Sequence, residues 1–72
     1  MHNFLDVLNL LKKYDIYIHV GKRLWDIELA AIEIDNLYRA KLITPKEYAQ
    51  IKLVLTHEHE AEARREQEQE NN

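Results

Sequence analysis

Gly21 and Pro45 are the only glycine and the only proline in a chain of 72 residues, so backbone breakers are almost absent. Long stretches with neither residue, carrying apolar side chains at three- and four-residue spacing, fold as amphipathic helices rather than as strands. The chain therefore has the outline of a small all-α protein, with its two breakers marking where helices begin.

The first helix lies in "NFLDVLNLLKKY". Asn3 can accept the cap hydrogen bond, and Phe4, Val7, Leu8, Leu11 and Tyr14 fall on one stripe, leaving Asp6, Asn9, Lys12 and Lys13 outward. In the following "DIYIHVG", Ile16, Ile18 and Val20 alternate with Tyr17 and His19. A lone strand would have no pairing partner, so this segment reads as an extended connector packed on the helices and closed by Gly21.

A second helix from about Lys22 to Lys41 contains neither breaker. Leu24, Ile27, Ala31, Ile34 and Tyr38 form its main apolar stripe, widened by Ala30 and Leu37. Trp25, Leu29 and Ile32 form another, centred roughly 170° away at about 100° per residue. A helix apolar on two sides either uses both inside the bundle or offers one to the connector or to another chain.

The third helix is announced by "ITPKEY". Thr44 is placed to cap it, Pro45 sits where a missing N–H costs nothing, Glu47 completes a capping box, and Ile43 can pack on Tyr48. Its seam of Tyr48, Ile51, Val54 and Leu55 then gives way to Glu58, His59 and Glu62. "HEHEAEARREQEQENN" stays helix-prone but has nothing apolar to bury, so a fraying, solvated extension is expected. The expected architecture is an all-α, compact three-helix bundle over residues 1–57, with an extended connector between helices one and two and a polar, acidic helical extension over 58–72.

Composition sets the functional classes. The net charge of −3 is uneven: residues 56–72 carry six Glu against Arg64 and Arg65, and residues 1–55 carry eight cations against seven anions. A duplex-DNA binder ordinarily has a pronounced basic surplus, which is missing here, so phosphate binding has to come from local clustering. Cysteine is absent, which fits a reducing cytoplasm, and neither a secretory leader nor a membrane-spanning run is expected from the sequence.

Catalysis is not expected. Serine and cysteine are both missing, and one glycine cannot build a phosphate loop. "HEHEA" at 57–61 departs from H-E-x-x-H, since position 61 is alanine, and His57 and His59 lie on different helix faces. Asp26, Glu28, Glu33 and Asp35 read as the solvated border of an amphipathic helix. Neither a metal nor a cofactor is expected.

Two binding surfaces remain. Lys12, Lys13, Lys22 and Arg23 could hold phosphates while Tyr17 and Trp25 stack on bases, a non-specific mode for single-stranded DNA or RNA that the acidic extension would oppose unless it stays clear. Alternatively, Trp25, Leu29 and Ile32 could form a contact with a second copy or with a partner helix.

"LDVLNLLKKY", "YIHVGKRLWDIELAAIEIDNLY" and "KLITPKEYAQIKLVL" together resemble the YqgQ-like family of short bacterial proteins, over roughly residues 4 to 55. The most particular pieces are Gly21 and Arg23 followed by "DIEL" at 26–29, and Leu37 with Tyr38. The resemblance implies a three-helix domain and an ability to bind single-stranded nucleic acid, and it carries over no catalytic residue. Lys22 stands where members of the family often have an acidic residue. Lysine cannot cap the second helix, and it makes the turn more cationic, which favours an anion at the helix N-terminus.

Overall fold

The computed structural model describes residues 2–70, with no side-chain description at 69 and 70. Three helices follow one another, α1 at Phe4–Lys12, α2 at Arg23–Arg39 and α3 at Pro45–Glu70, and among the described residues no strand forms. The expected all-α bundle is thus the observed one, including the extended connector between α1 and α2.

Each helix start has a local cause. At α1 the Asp6 N–H donates to Asn3 Oδ1 at 3.0 Å. At α3 the capping box is reciprocal, with Glu47 N–H to Thr44 Oγ1 at 3.1 Å and Thr44 N–H to Glu47 Oε1 at 3.0 Å. Lys22 precedes α2 in extended backbone and supplies no side-chain cap bond.

Both helices that lead into a connection end alike. The Ile16 N–H reaches Leu11 O and the Leu42 N–H reaches Leu37 O, each at 3.0 Å, with Asp15 and Lys41 in the left-handed region at φ 60° and 62°. This is the Schellman arrangement, in which glycine is the usual left-handed residue. Two L-residues occupy that position here, which is how a chain with one glycine still turns twice after a helix.

The core is wholly apolar: Phe4, Val7 and Leu11 from α1, Ile27, Ala30, Ile34 and Leu37 from α2, Ile43 before α3, and Ile51 and Leu55 on it. The largest helix–helix contact is between α2 and α3. Its edge is fixed by a polar triad, with the Tyr48 hydroxyl donating to Asp35 Oδ1 at 2.7 Å and Lys52 Nζ to the same oxygen at 3.1 Å. Tyr48 also stacks on Tyr38 with ring centroids 4.1 Å apart. Tyr14 and Tyr38, on core stripes by spacing, sit at the rim: the Tyr14 hydroxyl donates to Leu42 O at 3.2 Å.

The polar extension is helical, as expected. α3 runs unbroken through residue 58 to Glu70, and Glu58, Glu62 and Glu66 are half-buried. A helix of this length spans about 39 Å, which accounts for most of the molecule's 44 Å long axis. Beside the start of α2 its acidic part pairs with Lys22 through Glu66 and with Arg23 through Glu58.

Candidate nucleic-acid interface

After α1 the chain reverses at Asp15, and Ile16 and Ile18 turn half inward while Tyr17 stands 70% exposed. Leu8, Lys12, Ile16, Tyr17, Ile18 and His19 line one shallow groove, so the connector lies along α1. By Arg23 the chain has returned to the beginning of α1: the Arg23 guanidinium carbon is 5.0 Å from the Phe4 ring centroid. Lys12 and Arg23 consequently mark opposite ends of a helix whose rise from Phe4 to Lys12 is about 12 Å. The six residues expected to bind nucleic acid therefore form two clusters joined by the connector, Lys12 with Tyr17 at one end and Lys22, Arg23 and Trp25 at the other. Lys13, which closes α1, is exposed at the first end.

The α2 cluster is built by its turn. Gly21 has φ 98°, a conformation that L-residues rarely adopt, although a Cβ there would meet nothing within 4 Å. Without a capping side chain at Lys22, the turn is fastened from the other side, where Asp26 Oδ1 accepts the Val20 N–H at 2.7 Å. Lys22 Nζ then sits 5.1 Å from the centroid of the Trp25 ring, which is 53% exposed. A cation over an accessible indole is a pairing that also suits a phosphate beside a stacked base.

Carboxylates of α3 already contact this cluster. Lys22 Nζ lies 3.7 Å from Glu66 Oε1, and Arg23 Nη2 lies 3.4 Å from Glu58 Oε2. His59 Nε2 meets Glu28 Oε1 at 3.1 Å on the same α2–α3 seam. Sequence spacing gave no sign of these contacts, since they join residues more than thirty positions apart.

The second stripe of α2 points away from the core, with Trp25 53%, Leu29 40% and Ile32 54% exposed. Trp25 thus belongs to both candidate surfaces. The carboxylates bordering the stripe are mostly engaged: Asp26 with the Val20 N–H, Glu28 with His59, and Asp35 with Tyr48 and Lys52. The Tyr48 hydroxyl, more than the Lys52 ammonium, holds the Asp35 carboxyl below the usual carboxylate range. Among the described residues no group of three His, Cys, Asp or Glu is arranged to hold a metal ion, and no helix is long and apolar enough to cross a membrane.

A family model for YqgQ-like proteins matches residues 1–61. The chain belongs to the YqgQ-like family. No curated protein sequence matches it. The YqgQ-like match spans α1, the connector, α2 and α3 as far as residue 61, so it takes in both cationic clusters, the apolar stripe and Glu58. Glu66, the partner of Lys22, lies beyond it.

Proposed function

We propose that this YqgQ-like protein is a non-catalytic cytoplasmic module that binds single-stranded DNA or RNA weakly and without sequence preference. The strand runs along the edge from Lys12, Lys13 and Tyr17 to Lys22, Arg23 and Trp25. The observation that carries the reading is Trp25, half exposed in the first turn of α2 with the Lys22 ammonium over its ring. A base stacked on an exposed tryptophan contributes about 1–3 kcal/mol. Tyr17 offers a second platform beside Lys12, and the two platforms at opposite ends of α1 suit an extended strand better than a compact ligand. The few cations keep the affinity low.

Trp25 is the only tryptophan, so its fluorescence reports directly on the site. Titration with an oligonucleotide should quench it, and Trp25→Ala should weaken binding of a labelled strand by about 5- to 150-fold, the range that one stacked base commands. Unchanged emission at saturating oligonucleotide and low salt would end this reading.

A second reading has its own support in Leu29 and Ile32, which are exposed on the same face as Trp25 but stand apart from the cations. In that reading the stripe joins two copies of the chain or seats a partner helix. Ile32→Gln, two turns from Trp25 and without added charge, separates the two: it lowers the solution mass of a self-associating protein and leaves strand binding intact.

A further inference from the structure

We infer that the acidic half of α3 is an intramolecular competitor for nucleic-acid phosphate, seated on Lys22 and Arg23 through Glu66 and Glu58; this rests on the strand-binding reading above and adds its regulation. The register of α3 makes the contact. Ile51 and Leu55 are the buried seam, and steps of three and four residues carry that face on through Glu58, Glu62 and Glu66. Where the seam loses its apolar residues, the same face presents carboxylates, and it meets the start of α2, where Lys22 and Arg23 stand side by side.

A carboxylate and a phosphate oxygen use the same donors on lysine and arginine, so both cannot occupy them fully at once. The contacts are built to exchange. At 3.7 and 3.4 Å they are looser than a close charge-assisted bond, and the Lys22 and Arg23 side chains remain about half exposed, at 48% and 49%. Opening them requires rotation of the half-exposed Lys22 and Arg23 side chains and leaves the buried seam in place. The Arg65 guanidinium, 2.9 Å from Glu62 Oε2, neutralises the intervening carboxylate of the row and leaves Glu58 and Glu66 as the two that reach α2. Strand binding is therefore an exchange in which phosphates take the place of the protein's own carboxylates, and the affinity is set partly by how firmly the extension holds.

The test compares two double variants that remove equal charge from the same helix. Glu58→Gln/Glu66→Gln removes both contacting carboxylates, whereas Glu60→Gln/Glu68→Gln removes two exposed ones that form no ion pair among the described residues. Binding of a fluorescein-labelled single-stranded oligonucleotide is read by anisotropy at about 0.1 M salt, where charges beyond about 10 Å are screened. Circular dichroism records the helix content of all three proteins.

The contacting pair should tighten binding by about five-fold, as the loss of two exposed ion pairs allows, and the control pair by less than about two-fold. Binding by the Glu58/Glu66 variant alone, with wild type silent, would also support the competitor. Equal tightening in both variants, or none in either, would overturn it while leaving strand binding in place. Absence of binding in all three proteins even at low salt would instead remove the strand-binding reading, and the competitor with it.

Discussion

Changing Lys22 and Arg23 together to alanine should alter the salt dependence of strand binding more tellingly than its strength. If Lys12, Lys13, Lys22 and Arg23 each neutralise one phosphate of a single strand, about 0.7 counterion is released per contact and the log–log slope is about −2.8. Removing the two α2 cations leaves a slope of about −1.4. Between 0.05 and 0.2 M salt the wild type then loses about 50-fold in affinity and the double variant about 7-fold. Anisotropy of a labelled strand measures both, and the two clusters at opposite ends of α1 make the slope informative about path as well as charge. A wild-type slope near −1.4 that vanishes in the variant would confine the contact to the α2 end. Parallel slopes in the two proteins, whatever their affinities, would refute the assignment of Lys22 and Arg23 as phosphate ligands.

Three further predictions concern the scaffold. Ile51 is fully buried, so Ile51→Ala should destabilise by about 2–4 kcal/mol, a large part of what a domain this size possesses, whereas Leu53→Ala on the exposed face should change denaturant unfolding by less than about 0.5 kcal/mol. Lys41 holds a left-handed conformation that costs an L-residue about 1–2 kcal/mol, part of which glycine gives back through its freer unfolded chain, so Lys41→Gly should raise the thermal midpoint by about 3–6 °C. The Asp35 carboxyl is held below its ordinary range by the Tyr48 hydroxyl and Lys52, so its contribution is present above about pH 4 and is lost as acid titrates it below that. Asp35→Asn keeps an acceptor for Tyr48, and thermal scans from pH 6 to pH 2.5 should show a smaller fall for it than for wild type.

Much of the fold was legible from local signals. The capping box at Thr44 and Glu47, the Asn3 cap and the apolar stripes of α1 and α2 each state their geometry within a few residues, and the structure realises them, with Tyr14 and Tyr38 displaced from the stripes to the rim. The Schellman turns at Asp15 and Lys41 were not legible, because a left-handed residue that is neither glycine nor asparagine carries no compositional mark. Nor was the role of Tyr48: its spacing placed it on the α3 seam, but its bond to Asp35 depends on how α2 and α3 are juxtaposed. At the candidate interface, sequence supplied the residue types and the structure divided them into two clusters, since adjacency along a connector says nothing about which end of α1 it reaches.

By itself the sequence determined that this chain is a small helical protein with one apolar core, a cationic turn before α2 and a surplus stripe on that helix. Those properties follow from breakers, caps and a 3.6-residue period, all of which act over a turn or two of backbone. Only tertiary structure decided that the acidic part of α3 lies on Lys22 and Arg23, and that Trp25 is left half exposed between them and the outer stripe. Such outcomes depend on the register of one helix against another, which the buried residues Ile27, Ile34, Ile51 and Leu55 set through packing and then transmit to side chains more than thirty positions apart.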